Sequence, residues 1–157
     1  MKLIEAHDAH FAWMLGEGDA PDGLRLPPGG VDQPWVYRWL RQGLRERGGR
    51  GQWLMVADGE VVGLCGHKGL PNEAGEVEIG YGVAPERRRR GYATRAVGVI
   101  IEAALADPAV RVLTAETALA NHASQRVLEA NGFAPVGRSH DDEEGETIVW
   151  RRESDAT

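Results

Sequence analysis

Val77-Glu78-Ile79-Gly80-Tyr81-Gly82-Val83, followed after Ala84-Pro85-Glu86-Arg87 by Arg88-Arg89-Arg90-Gly91-Tyr92-Ala93, is the stretch on which the fold turns. Val77, Ile79, Tyr81 and Val83 alternate with Glu76, Glu78, Gly80 and Gly82, the two-residue period of a strand. Pro85 ends that run. From Ala93 onward, Val97, Ile100, Ile101, Ala104 and Leu105 recur at helical spacing. Arg88 to Ala93 therefore sits where a strand gives way to an amphipathic helix. The first amides of a helix lack internal partners and carry its positive dipole end, so this junction favours an anion. Gly91 permits close backbone approach, Ala93 keeps that approach clear, and arginines add donor forks suited to phosphate oxygens. Such a junction can hold a pyrophosphate. Neither a phosphate loop ending in lysine and serine or threonine nor the three-glycine dinucleotide fingerprint is present, so a nucleoside triphosphate is not expected.

Upstream, Gln52 to Ala57 and Glu60 to His67 are short apolar runs joined by Asp58-Gly59, a strong hairpin signal. With the strand through Val77 they read as a meander. Gly80 and Gly82 share one strand face, which fits either room for a ligand or plain turn-prone composition. Nearer the start, Leu3 and Ile4 suggest a short strand, and Asp8 is placed to cap a weak helix through Phe11 and Leu15. Gly16 to Gly30 reads as a long loop on the substrate side. Pro34 opens a helix carrying Trp35, Trp39, Leu40 and Leu44, which Gly48-Gly49 ends. Downstream, Val110 to Thr117 is a strand parallel to the one before the anion loop. Asn121 caps a further helix that Gly132 stops. Ala134 to Arg138 and Glu146 to Trp150 form a closing hairpin around the acidic tip Asp141 to Gly145, and the last few residues are expected to be disordered.

The chain has 157 residues, 42% of them hydrophobic, which fits one domain over 1–157 with a single sizeable core. A formal charge of -6 argues against a nucleic-acid surface despite the arginines at 87 to 90. One cysteine, Cys65, excludes an internal disulfide, and no apolar stretch has membrane-spanning length. A cytoplasmic location is the expectation.

The spacing Arg88-x-x-Gly91-x-Ala93 after Val83-Ala84-Pro85 resembles the acyl-CoA loop of the GNAT superfamily of N-acetyltransferases. Two further segments extend the resemblance in order: Glu78-Ile79-Gly80-Tyr81, and Asn121-x-x-Ser124-x-x-Val127-Leu128-Glu129-x-x-Gly132-Phe133. The likeness runs from the Asp58-Gly59 hairpin to Trp150. It is strongest to the branch holding ribosomal-protein N-terminal acetyltransferases and their small-molecule relatives. The resemblance implies an α/β (α+β) fold with a central mixed, mostly antiparallel twisted sheet and helices on both faces. It implies acetyl-CoA as co-substrate and a primary amine as acceptor, either a protein N-terminus or a small molecule, and leaves a homodimer open. By the same resemblance, Tyr81, Gly82 and Val83 offer backbone groups to pantetheine, and Asn121 touches the cofactor arm. Pyrophosphate then falls to Arg88, Arg89, Arg90, Gly91, Tyr92, Ala93 and Thr94.

Direct transfer from a thioester to an amine requires a neutral amine, aligned reactants and a stabilised oxyanion. Glu78, on the glycine-lined face, is the preferred base, directly or through water; a structural or substrate-orienting carboxylate is its other reading. Glu76 lies further from the loop. Ser124 can donate toward the departing thiolate, or simply bond locally as a first-turn serine. Many family members carry a tyrosine where this chain has Leu128. The donor is then Ser124, a water or another tyrosine, or the thiolate leaves without one. That gap keeps a second reading in view, an acyl-CoA-binding sensor without catalysis.

Cys65 reads as a buried small hydrophobe rather than a nucleophile. His67, His122 and His140 lack metal-ligand spacing, so no metal is expected. Trp35 and Trp39 read as packing residues, although the resemblance puts their helix beside the acceptor pocket. The acidic tip is either a solvated turn or an attractor of cationic amines.

Overall fold

In the computed structural model, which describes residues 1–154, β1 (Lys2–Glu5) leads into α1 (Asp8–Met14) and α2 (Pro34–Glu46). The meander β2 (Gln52–Ala57), β3 (Glu60–His67) and β4 (Glu76–Val83) follows. Then come α3 (Tyr92–Leu105), β5 (Val112–Ala118), α4 (His122–Ala130), β6 (Ala134–Asp141) and β7 (Gly145–Glu153). The seven strands form one sheet in the order β1-β2-β3-β4-β5-β7-β6. Only β4 and β5 run parallel. The others pair antiparallel, as the local hairpin signals required. Disorder expected at the very end of the chain concerns positions outside the described residues.

Asp58 and Gly59 both take positive φ, 52° and 76°, the geometry of a tight two-residue hairpin. Val56 pairs with Val61 and Met55 with Gly63, so Val62 is an inserted residue, a bulge that changes the phase of β3. Val61 and Leu64 therefore face one core while Val62 and Cys65 face the other. On one side of the sheet, α3 supplies Ala96, Val97, Ile100, Ile101 and Ala104 against Val77, Ile79 and Leu113, and α4 adds Leu128. Phe11 from α1 and Tyr37 and Leu44 from α2 close the opposite face over Leu54, Val56 and Val61. Two cores thus replace the single one expected from composition. Each fully buried Phe, Leu or Ile contributes about 1.5–3 kcal/mol of burial.

Two local expectations need correction. The residue before α1 is His7, whose amide donates to His10 Nδ1 at 2.8 Å. Asp8 is instead the first helical residue and accepts from Arg41 Nε at 2.8 Å and Arg45 Nε at 2.9 Å, joining α1 to α2. The loop from Gly16 to Gly30 is fastened down rather than poised over substrate. Leu24 is buried, Arg25 N donates to Gly59 O, Val61 N donates to Arg25 O, and Arg25 Nη2 reaches Asp58 O at 2.7 Å.

Candidate active site

The β4–β5 seam is short. Glu76, Val77 and Glu78 pair with Val112, Leu113 and Thr114, and there the pairing ends. β4 stays paired with β3 through Val83, and β5 with β7 through Ala118, so both strands continue but diverge. A cleft of about 680 Å³ occupies the gap, with Gly80, Tyr81 and Gly82 on one wall and Glu116, Thr117 and Ala118 on the other. Backbone groups on the inner edges of that gap have no strand partner, and buried edges of this kind need one.

The arginine-rich loop follows β4. A 3-10 turn at Pro85–Arg87 leads to Gly91, which caps α3 in the left-handed region at φ 76°. The first return bond is Arg95 N to Gly91 O at 3.2 Å, leaving the amides of Tyr92, Ala93 and Thr94 without helical acceptors. Nothing lies within 4 Å of the position a Cβ on Gly91 would take. Arg87 is committed elsewhere. Its guanidinium holds Glu60 through contacts of 2.6 and 3.1 Å, which lowers the Glu60 carboxyl and raises Arg87. This bidentate pair ties the loop to the start of β3. Arg88, Arg89 and Arg90 are exposed; Arg88 Nε donates to Val83 O at 3.3 Å, and none of the three makes an ion pair among the described residues. Tyr92 and Ala93 are half-buried, with the Arg95 guanidinium 5.6 Å from the Tyr92 ring centre.

Glu78 and Ser124 both line the cleft. Lys68 Nζ sits 3.1 Å from Glu78 Oε2, an ion pair the sequence did not signal because ten residues and a loop separate the two. The face beside Gly80 is therefore not empty: a Cβ there would meet Lys68 Cε at 2.8 Å. On the other face of β4, the Tyr81 hydroxyl lies 2.7 Å from Ser124 Oγ and 3.1 Å from the Ser124 carbonyl. Burial pushes the Tyr81 phenol up to about 12, so it stays protonated and is a donor. Asn121 caps α4, its side chain accepting from Ser124 N at 3.1 Å, and also borders the cleft. Leu128, at the position of the absent tyrosine, is fully buried in the core. Burial likewise pushes the Cys65 thiol up to about 12, which leaves no thiolate for nucleophilic chemistry. Among the described residues no group of three or more His, Cys, Asp or Glu is arranged for a metal.

The outer wall of the cleft comes from α2 and from the β6–β7 tip. Trp35 and Trp39, expected as packing residues, are about half exposed at 51% and 52% and face the cleft. Asp32, not the Gly16 to Gly30 loop, is the lining residue just before α2. Asp141, Glu143 and Glu144 reach the cleft from the hairpin tip and join Asp32, Glu78 and Glu116. Against these six carboxylates stands one ammonium, Lys68.

The profile of the Acetyltransferase (GNAT) domain matches residues 5–134. The chain belongs to the GNAT acetyltransferase family. Over 83 residues it is 37% identical to the uncharacterized N-acetyltransferase YjdG of Bacillus subtilis (strain 168), a stretch covering 52% of this chain and 49% of that protein. The chain thus spans about half the length of the curated relative it matches. Among solved structures, RimL, a ribosomal alpha-N-protein acetyltransferase in complex with coenzyme A, superposes with a TM-score of 0.72 at 19% identity, covering 99% of this chain and 94% of RimL. AAC(6')-Ib, in complex with Parmomycin and AcetylCoA, gives 0.68 at 14% identity, covering 97% and 92%. These likenesses establish the GNAT fold: a mixed sheet of seven strands, mostly antiparallel, with helices on both faces.

Proposed function

We propose that this GNAT protein is an acetyl-CoA-dependent N-acetyltransferase that passes the acetyl group directly to a cationic primary amine. The observation that carries the reading is the early end of the β4–β5 ladder at Glu78 and Thr114, with an anion site at one end of the gap and an acidic cleft at the other. Bound acetyl-CoA would supply an activated acetyl thioester. The amides of Tyr92, Ala93 and Thr94, capped by Gly91, together with Arg88, Arg89 and Arg90, would hold its pyrophosphate. The edge from Tyr81 to Val83 offers donors and acceptors to the pantetheine amides, and Asn121 borders the same channel.

Glu78 is the group suited to take a proton from the acceptor ammonium, which would displace Lys68 from it. Ser124 is suited to donate to the leaving thiolate. Its partner Tyr81 has one proton to give: directed at the Ser124 carbonyl it leaves Oγ donating to the phenol oxygen, and directed at Oγ it frees the serine proton for the cleft. A donor pair is therefore available without a tyrosine at Leu128, which favours an active enzyme over a silent sensor. Six carboxylates at the acceptor mouth favour an amine with additional positive charge, and Trp35 and Trp39 offer it aromatic faces. Both a basic protein N-terminus and a small polyamine-like or aminoglycoside-like molecule have that chemistry. A single cysteine held as a buried thiol suits a reducing compartment such as the cytoplasm, and no helix among the described residues is long and apolar enough to cross a membrane.

Thermal unfolding with acetyl-CoA, followed by a thiol-release assay over a panel of amines and peptides, tests the proposal. Acetyl-CoA should raise the melting temperature and cationic amines should turn over. No shift at saturating acetyl-CoA would remove the cofactor assignment.

A further inference from the structure

Lysine is almost absent from this chain: Lys2 and Lys68 stand against sixteen arginines. Lys2 is exposed on β1 at the edge of the sheet. Lys68 lies inside the acceptor cleft, its stem crossing β4 so closely that a Cβ on Gly80 would be 2.8 Å from its Cε. Its Nζ ends 3.1 Å from Glu78 Oε2, each side chain 37% exposed to the cleft. The other ion pairs of the described residues all use arginine, including Arg41 with Asp8 and Arg87 with Glu60. A pair that served only to brace a strand would be stronger with arginine, whose fork engages a carboxylate through two bonds. Lysine brings what arginine cannot, an amine that becomes a nucleophile on losing one proton. Here that amine is tethered beside the candidate base, on the strand edge where the thioester would lie.

We propose that Lys68 is a self-acetylation site of this enzyme, an inference that rests on the acetyl-CoA-dependent reading above. The Lys68 ammonium gives one proton to Glu78, and the freed nitrogen lone pair attacks the thioester carbonyl carbon to form the C–N bond. Collapse of the tetrahedral species breaks the C–S bond. A second nitrogen proton, released as the amide forms, balances the proton taken up by the departing thiolate. The products are Nε-acetyl-lysine at position 68, free coenzyme A thiol and one proton that Glu78 returns to solvent. Acetylation removes the charge of Lys68 and its ion pair, leaving Glu78 and the other carboxylates to face an acceptor unopposed.

The full-length protein is incubated with acetyl-CoA and no acceptor, and acetylation of Lys68 and Lys2 is followed by peptide mass spectrometry. Lys68 should be modified with a rate independent of protein concentration and suppressed by free coenzyme A, while Lys2 shows only slow background labelling that coenzyme A does not suppress. Glu78→Gln should slow Lys68 labelling by about 100-fold, the lower end of what a positioned base contributes, and leave Lys2 unchanged. An acetyl group already on Lys68 in purified wild-type protein and missing from Glu78→Gln counts the same way. Equal labelling of the two lysines, or insensitivity to coenzyme A, overturns the proposal. An acetyl-CoA melting shift and turnover of added amines with Lys68 unlabelled overturns it and leaves the acetyltransferase reading standing; absence of the shift overturns both.

Discussion

Replacing Gly91 with valine tests the anion loop without altering any charge. Gly91 caps α3 at φ 76°, and a β-branched residue held in that region costs about 1–3 kcal/mol. No heavy atom lies within 4 Å of the new Cβ position, so no clash with the protein adds to this. In a chain of this size 1 kcal/mol corresponds to about 2–4 °C, so the unliganded variant should still fold and melt about 2–12 °C lower. Ligand binding adds to stability separately. Acetyl-CoA at about 100 times its dissociation constant stabilises the wild type by about 2.7 kcal/mol, or roughly 5–11 °C. The valine side chain would fill the open space beside the free amides of Tyr92, Ala93 and Thr94, where the pyrophosphate belongs, so the ligand-induced rise should vanish. Gly91→Ala, with no β-branch and less bulk beside the amides, should keep part of it. Thermal denaturation with and without acetyl-CoA reads both quantities, and circular dichroism checks that the helices persist. A full ligand-induced rise in Gly91→Val would show that the pyrophosphate is held somewhere other than the start of α3.

Glu78→Gln should leave acetyl-CoA affinity unchanged and lower amine turnover by about 100-fold at neutral pH; an unaltered rate excludes Glu78 as the base. Tyr81→Phe and Ser124→Ala should each reduce kcat with little change in the Kd of acetyl-CoA, and the double variant should be no slower than the worse single one, because the two hydroxyls act as one unit; additive losses would mean they act separately. Neutralising Asp141, Glu143 and Glu144 to their amides should raise KM for polycationic acceptors at low salt, with the difference shrinking as salt rises; an unchanged KM would return the hairpin tip to a solvated turn. Hydrogen bonds from the Arg41 guanidinium, joined by Arg45, hold the Asp8 carboxyl well below the usual carboxylate range. Its stabilising contribution is therefore complete above the ordinary Asp pKa of about 4 and fades as pH falls below it. Asp8→Asn should lower the melting temperature at pH 7 and converge on wild type in acid; a constant difference across that window would refute the linkage.

Elements fixed by local chemistry were legible before any coordinates. Asp58-Gly59 named its hairpin because the two residues it needs adopt positive φ, and both flanking strands have the expected bounds. Gly91 announced the start of α3, and Asn121 and Gly132 the cap and stop of α4, each within a few residues of the backbone groups it serves. What joins distant positions was not legible. Tyr81 and Ser124 are 43 residues apart, and neither residue's neighbours point to the other. The Gly16 to Gly30 loop looked free because its composition is that of loops, yet Arg25 bonds to a turn 33 residues later and Leu24 enters a core. Trp35 and Trp39 keep helical spacing whether their face meets a core or a cleft, so periodicity could not separate packing from an acceptor wall. The sheet separates the interior into two cores, and the bulge at Val62 decides which of them each β3 side chain enters, a register effect that apolar counts do not register.

The three-residue β4–β5 seam also gives the sheet a mechanical character. Four strands form one panel and three the other, and the ladder between them runs only through Glu76–Val112, Val77–Leu113 and Glu78–Thr114. A cofactor lying in the opening would act as a removable eighth strand, lengthening the stitch and joining the two panels into one continuous surface. The Tyr81 and Val83 amides, which alternate with those bonded to β3 and so face the opening, should then exchange with deuterium faster in the empty protein than in the loaded one.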